Sequence, residues 1–511
     1  MPASISVHSD HSIDRISENI YGHFAEHLGR CIYGGVWVGE DDDRVPTEDG
    51  IRMDTVELLQ DLDMPVLRWP GGCFADDYHW EDGVGPREDR PKRRNLWWAQ
   101  GREERFIETN EFGTDEFLEL CQMIDTDPYL AVNVGSATPE EALDWIEYCN
   151  SDADTDLTRR RAENGHEEPY DVTYWGIGNE NWGCGGRFAP DEYADQYRRF
   201  ANYLNGFDDH INPGSTEFIA CGHITDEWNE AFFERLDGGM EFGPGTFLGM
   251  GSPYKLLDHF SVHRYYQAGD DADFSDEQHY RLFARAQKIA DDIDSAAETI
   301  STYVPREDVG IIVDEWGTWH PQATPDNGLE QANTVRDALA AAGVFDIMHE
   351  RADVVSMANI AQTVNVLQCL VQTDEENAWA TPTYQVFDLY QNHSGNTAVE
   401  ANINADKKYF DEEDHDVPLV SASASVGDDE LFVTASNRSL DQTETVEVEV
   451  DETFGNPSGT VLFEEKGSRA YSTADNAAEF EADDITVSEA DDGRFTVDIP
   501  ASSVVGVTFT K

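Results

Sequence analysis

Eight short apolar runs separated by longer amphipathic stretches are the strongest constraint on the fold of this 511-residue chain. The runs are Ile20–Phe24, Pro65–Trp69, Tyr129–Asn133, Tyr174–Asn179, Phe218–Gly222, His259–His263, Gly310–Glu315 and Val354–Asn359. A strand with one wet face alternates apolar and polar residues. These runs are largely continuous, as strands of a parallel sheet covered on both faces are. The stretches between them carry helical spacing, notably Thr55–Asp63, Thr114–Ile124, Pro139–Asn150, Pro190–Leu204, Asp276–Ser301 and Glu330–Ala342. At one helix start Thr138 caps, Pro139 fits the first turn and Glu141 can close a capping box. Eight strand–helix repeats in one core imply an α/β fold of the (β/α)8 TIM-barrel type. A doubly wound open sheet is the alternative, with fewer repeats.

Beyond about residue 386 the pattern changes. Glu430–Ser436, Thr445–Val450, Gly459–Glu464 and Arg494–Pro500 alternate at period two or form short β-rich runs between Asp, Gly, Asn and Ser clusters. That pattern describes a β-sandwich. The opening Ser4–His8 segment alternates too and is expected to join it. The expected division is an N-terminal strand at 1–15, a barrel at 16–385 and a C-terminal β-sandwich at 386–511.

Acidic residues number 104 against 34 basic ones, a formal net charge of −70. Such an excess repels nucleic acid and anionic membranes. With 12 Trp, 19 Tyr and 25 Phe the chain can bury a core, which separates it from acidic disordered proteins. Only seven of the basic residues are Lys and 27 are Arg. Lys depletion beneath a carboxylate surface is a halophilic pattern, and at molar salt the Debye length of about 3 Å screens the self-repulsion. A KCl-rich cytoplasm and loss of fold at low salt are the expectations. The seven cysteines, Cys31, Cys73, Cys121, Cys149, Cys184, Cys221 and Cys369, are odd in number and include no CxxC pair. Neither a disulfide scaffold nor a structural zinc site is expected. Met1–Ile5 carries no targeting signal and no run has the length of a membrane span, so the expected setting is cytoplasmic, with a small-molecule substrate. The Gly71-Gly72 pair lacks the GxxxxGK[ST] phosphate-loop context. His166, His210 and His393 lack metal-ligand spacing, and Glu40–Asp43 and Asp411–Asp414 lack the EF-hand pattern. No metal and no cofactor is expected.

In a parallel barrel the functional side chains stand at the C-terminal strand ends. The polar residues there are Glu26, Arg68, Asn179, Glu180, His263, Tyr265, Glu315 and Gln362. One strand-end Glu is commonly a salt-bridge or helix-cap partner. Glu180 and Glu315 end two different apolar runs, where burying a carboxylate is costly without a partner or a task. Glycosidic cleavage needs such a pair, one acid for the leaving oxygen and one carboxylate to attack or to activate water. Trp182, in the Gly-rich loop after Glu180, can desolvate that carboxyl and keep it protonated. Glu315 must stay ionised, with Arg68 and Tyr265 as stabilisers. Asn179 can donate to a sugar hydroxyl. His263 is a hydrogen-bonding support, and His320, in Trp316–His320, is a candidate for the site entrance.

The segments Tyr21–Gly29, Arg68–Phe74, Trp80–Pro86, Gly178–Glu180, Asp314–Trp316 and Met357–Asn365, in that order, resemble glycoside hydrolase family 51, the α-L-arabinofuranosidases. The chain is expected to be a halophilic, archaeal variant of that family. The resemblance implies a (β/α)8 barrel with a β-sandwich and a retaining double displacement, with Glu180 as acid/base and Glu315 as nucleophile. It places Glu26, Arg68, Cys73, Trp98, Asn179, Tyr265 and Gln362 around a terminal arabinofuranose. Cys73 and Trp98 rest on the resemblance alone. Cys73 otherwise reads as a buried thiol, and Trp98 stands beside an equally eligible Trp97. The expected activity is exo release of arabinofuranose from arabino-oligosaccharides. The partner is a small carbohydrate, and the family commonly assembles as a homo-hexamer. A β-xylosidase or endo-β-glucanase on the same scaffold is the alternative. A carbohydrate-binding protein without catalysis is a further one, which the presence of both carboxylates speaks against.

Overall fold

The computed structural model describes residues 3–97, 107–211, 215–238, 257–305, 308–410, 415–475, 480–490 and 493–511. After strand β1 (Ala3–Arg15) come β2 (Gly22–Phe24), β3 (Val66–Trp69), β4 (Asp127–Val132), β5 (Tyr174–Ile177), β6 (Glu217–Cys221), β7 (His259–Tyr266), β8 (Gly310–Thr318) and β9 (Val355–Ala361). Each of β2 to β9 pairs in parallel with the next, and β9 pairs with β2. The result is a closed barrel of eight strands, which excludes the open sheet. Val66, Tyr129, Ile219, Ile312 and Met357 form an interior cluster of their own, the layered filling of such barrels. The opposite strand faces meet helices. Trp69 stacks on Phe117, and Trp316 meets Phe345 and Phe387.

Ten helices wrap the described part of the barrel: α1 (Met53–Asp61), α2 (Thr114–Met123), α3 (Pro139–Asn150), α4 (Asp156–Glu163), α5 (Pro190–Ile211), α6 (Asp226–Gly238), α7 (Asp276–Ala286), α8 (Lys288–Tyr303), α9 (Val335–His349) and α10 (Pro382–Tyr390). Three differ from expectation for identifiable reasons. The stretch expected as one helix from Asp276 splits at Gln287. The split turns Phe283 beneath Arg438 of the second domain, while Ile289 and Ile293 stay in the barrel core. Helix α4 lacks an apolar stripe. It is docked instead by buried Arg161, which donates to the carbonyls of Tyr148 and Ser151 at the end of α3. Helix α9 begins at Val335 rather than residue 330 because Thr334 and Asp337 form its capping pair. At α3, Thr138 caps as expected, but the capping box is only half made, since the Glu141 carboxylate turns to His79 Nδ1 at 2.8 Å. No helix among the described residues is long and apolar enough to cross a membrane.

The second sheet has ten strands: β1 with β10 (Thr397–Asn404), β11 (Val420–Val426), β12 (Glu430–Asn437), β13 (Glu444–Glu449), β14 (Gly455–Phe463), β15 (Glu481–Ile485), β16 (Val487–Glu489), β17 (Arg494–Ile499) and β18 (Ser503–Thr510). Their order is β15-β14-β18-β12-β11-β10-β1-β13-β17-β16. The sheet folds over one apolar core that includes Ile5, Val7, Val433, Val448, Phe495 and Phe509. Strand β1 sits inside it, with Ile5 opposite Ile403 on one side and Val448 on the other. Helix α10 runs across residue 385, the expected edge of the barrel. It shares an interface with α9, where the buried Asp346 carboxylate accepts from Tyr390, Ser421 and Ser423. This polar seam ties barrel to sheet.

Candidate active site

A bulge in β8 brings the key carboxylate into the barrel. Val262 of β7 faces Val313, but the next residue, His263, faces Glu315, so Asp314 and Glu315 together oppose one position. Ile312 points into the barrel, and so does Asp314, which accepts from Tyr129 and Asn359 at 2.8 Å each. Without the extra residue Glu315 would point outward. With it, Glu315 stands over the barrel mouth and Trp316 takes the outward place. Glu180, just past β5, has a left-handed backbone with φ 42°, a conformation that a non-glycine residue adopts at some cost.

The two carboxylates converge. His263 Nδ1 lies 3.1 Å from Glu180 Oε1 and 3.7 Å from Glu315 Oε2. One oxygen of each glutamate and a His263 ring nitrogen all fall within 4.8 Å of one another. Glu315 is 5% exposed. It accepts from Arg68 Nη1 at 3.0 Å and from the Tyr265 hydroxyl at 2.8 Å. Burial pushes its carboxyl up, but His263, Arg68 and the hydrogen bonds from Tyr265 and Arg68 outweigh that and hold it below the ordinary value. Burial would likewise lower the His263 imidazolium, yet the Glu315 charge and then Glu180 hold it above the ordinary histidine value. These three groups are metal-ligand types. Here Glu315 is already engaged by Arg68 and Tyr265.

Arg68, 1% exposed, is the hub beneath the pair. It donates to Glu315 and to the Asp314 carbonyl, and its Nε lies 3.4 Å from Asp314 Oδ2. Its Nη2 donates to Asn179 Oδ1, which leaves the Asn179 amide N–H groups as the end able to meet a ligand. Glu26 and Gln362 lock reciprocally: the Glu26 backbone N–H donates to Gln362 Oε1, and Gln362 Nε2 donates to Glu26 Oε2, both at 3.2 Å. Phe74 N–H donates to Glu26 Oε1 at 3.0 Å. Gly72 permits this arrangement, because a Cβ there would meet Glu26 Oε2 at 2.5 Å.

The cysteine expectation needs correction, His320 is more deeply buried than expected, and two of the segments named above cannot be placed. Cys73 is not a free thiol: it forms a disulfide with Cys184, against the expectation of none. Cys73 follows β3 and Cys184 follows β5, so strand order in the barrel, not sequence spacing, brings them together. The Cys184 sulfur sits 3.6 Å from Glu180 Oε2. His320 is fully buried, and its ring contacts Asp337 at 2.8 Å and Arg336 at 3.3 Å. Trp182 is anchored on the neighbouring strand end. Its indole N–H donates to the Gly222 carbonyl and its ring meets His223 edge-on. Trp98 lies outside the described residues, as does Asp411–Asp414.

Sequence reasoning passed over Asp76, Tyr129, Asp314 and Asn359. In a chain with 104 acidic residues a single Asp carries little signal. Burial pushes the Asp76 carboxyl up to about 7 against hydrogen bonds from Asn179, Val134, Gly135 and Asn181 that pull it down. The relevant cue is position: Asp76 lies just beyond Gly71–Phe74, at the C-terminal rim.

Comparison with known proteins decides the family. The sequence profile described as "Alpha-L-arabinofuranosidase 1 domain" matches residues 58–287, and the one described as "Alpha-L-arabinofuranosidase C-terminal domain" matches residues 314–503. The "Intracellular exo-alpha-L-arabinofuranosidase" of Bacteroides ovatus is 38% identical over 457 residues, covering 88% of this chain and 84% of that protein. The chain belongs to glycoside hydrolase family 51, the α-L-arabinofuranosidases. Among solved structures, the family 51 arabinofuranosidase of Xanthomonas axonopodis pv. citri superposes with a TM-score of 0.90 at 32% identity, with both chains fully covered. The α-L-arabinofuranosidase of Thermotoga maritima, in an arabinose complex, gives 0.81 at 31% identity, again with both chains fully covered.

In this family 51 glycoside hydrolase the Tyr265–Glu315 hydrogen bond has a measurable consequence. Tyr265→Phe removes one stabiliser of the ionised Glu315, a charge-assisted bond of about 1.5–3 kcal/mol. Because Glu315 is held low in the fold, losing that bond raises its pKa. The acid limb of the kcat/KM–pH profile is expected to move up by about one unit. An unmoved limb discards this role for Tyr265.

Proposed function

We propose that this chain is a retaining, exo-acting α-L-arabinofuranosidase in which Glu315 is the nucleophile and Glu180 the acid/base. The observation that carries the reading is the approach of the two carboxylates, whose nearest oxygens lie within 4.8 Å. Retaining glycosidases separate their carboxyl groups by about 5–5.5 Å and inverting ones by roughly 6.5–9.5 Å. In the first step a Glu315 oxygen bonds to the anomeric carbon as the bond to the leaving group breaks, and Glu180 gives its proton to that leaving oxygen. In the second step Glu180 takes a proton from water as the water oxygen bonds to the anomeric carbon. The ester to Glu315 breaks, and both carboxyl groups return to their starting states. Arg68 and Tyr265 keep Glu315 ionised. The Asn179 amide donates to the sugar 2-hydroxyl, while the locked Glu26–Gln362 pair, the Cys73 sulfur and Trp98 complete the sugar site. His263 holds both carboxylates in register.

The reading extends to the setting. The surface is salt-adapted, in keeping with a KCl-rich, archaeal-type cytoplasm, the substrate is a short arabinose-containing oligosaccharide, and the assembly is a homo-hexamer. A panel of 4-nitrophenyl glycosides tests the specificity. The α-L-arabinofuranoside is expected to be hydrolysed about 100-fold faster or more than the β-D-xylopyranoside or β-D-glucopyranoside. Activity confined to the xylopyranoside rejects the specificity. Proton NMR of the first-formed sugar tests the stereochemistry, with the α-anomer expected and the β-anomer overturning retention.

A further inference from the structure

We propose that Asp76 is a positioning residue for the proton-transfer half of the reaction, fixing the Asn179–Glu180 turn through the Asn179 backbone amide. The inference rests on Glu180 being the acid/base. Asp76 follows β3, and its carboxylate reaches across the barrel rim to the ends of β4 and β5. Oδ1 accepts from Val134 N–H at 2.8 Å, from Gly135 N–H at 2.7 Å and from Asn181 Nδ2 at 3.4 Å. Oδ2 accepts from Asn179 N–H at 2.8 Å. Asn181 Nδ2 also donates to the Gly185 carbonyl at 2.7 Å, so the same clamp reaches the far side of the loop that holds Glu180. The loop is built tightly onto it, since a Cβ at Gly185 would meet Asp76 Oδ2 at 2.5 Å. All four partners are donors, so the geometry calls for the ionised form.

Asn179 is thus held at both ends, its side chain by Arg68 and its backbone by Asp76. Glu180, the next residue, has the left-handed φ of 42°, a conformation that persists only where the surroundings over-determine it. In Asp76→Asn the amide oxygen is claimed by the three donors at Oδ1. The new NH2 group then faces the Asn179 N–H, donor against donor. The turn has to shift, and Glu180 moves with it, while the Asn179 side chain stays on Arg68. Proton delivery should suffer more than sugar binding.

The test is kinetic, on aryl α-L-arabinofuranosides of graded leaving-group pKa, with rates normalised to the burst amplitude so that only competent enzyme is counted. For Asp76→Asn, kcat/KM is expected to fall less than about threefold with 2,4-dinitrophenyl as leaving group and about 50-fold or more with an unactivated alcohol. The KM of the activated substrate should change little. Azide should accelerate turnover of that substrate and yield the α-L-arabinofuranosyl azide, as for an enzyme with an impaired base. An equal loss for every leaving group overturns the proposal. If Asp76→Asn does not accumulate folded, Asn181→Ala removes the other arm of the clamp and must show the same leaving-group dependence, and a uniform loss there is equally fatal. Glu180→Ala in the same series separates the two ideas. A flat series for it discards the acid/base assignment, whereas a steep one beside a flat Asp76→Asn discards Asp76 alone.

Discussion

Glu315→Ala is expected to lower kcat on 4-nitrophenyl α-L-arabinofuranoside by about 10,000-fold or more. Sodium azide should restore turnover and release the β-L-arabinofuranosyl azide, of inverted configuration. The lost carboxylate leaves space beside the anomeric carbon, and a small anion can enter it from the same side and complete one displacement. The fold should survive, because Arg68 keeps Asp314 and Asn179 as partners. A folded variant that retains more than about a tenth of wild-type activity means that another group attacks the sugar. Inactivity that azide does not relieve points to damage beyond the missing nucleophile. The outcome bears on the whole site, since Arg68, Tyr265 and His263 are all arranged around this one carboxylate.

The second large effect is on stability. On transfer from about 2 M KCl to about 0.05 M, the tertiary near-ultraviolet dichroism should collapse and the thermal midpoint should fall by more than about 15 °C. With 104 acidic and 34 basic residues, most carboxylates cannot find a cation within the chain. Crowding is already felt locally. Asp144 on α3 is held above its ordinary value by burial and then by Glu140, Glu147, Glu81 and Glu141. The sign of the pH dependence follows. A carboxyl whose pKa is raised in the fold favours the folded state when protonated, and that stability is lost as pH rises through its raised value. At low salt, mild acidification from neutrality should therefore restore structure, the reverse of ordinary acid denaturation. A midpoint that moves by less than about 3 °C between the two salt conditions removes the salt-adapted reading and leaves the enzymatic one untouched.

The barrel was legible because its eight strands are buried on both faces, and burial of that kind writes itself into composition. Elements held by polar contacts were not legible. Helix α4 docks through Arg161, and nothing in its spacing announces that. The two glutamates stood out because each closes an apolar run, and Arg68, Asn179, Tyr265 and Gln362 stood out by their rim positions. The Cys73–Cys184 bond was hidden for a different reason. An odd cysteine count argues about a whole chain, whereas this pair depends on β3 and β5 ending at the same rim. The full burial of His320 was not legible, because a loop after a barrel strand can fold back into the core as readily as over the mouth. The polar layer under the site, Asp314 with Tyr129 and Asn359, depends on a bulge that only paired strands reveal.

Strand β1 also orders events in time. On a ribosome it is made before the barrel, yet Ile5 waits for Ile403 and Val448, which are made after it. The nascent barrel must therefore emerge with the apolar ribbon that precedes it still unmatched, a hazard for premature association. A gene cut between barrel and sheet would yield two misshapen products, one with a stray strand and one with a gap where its central strand belongs.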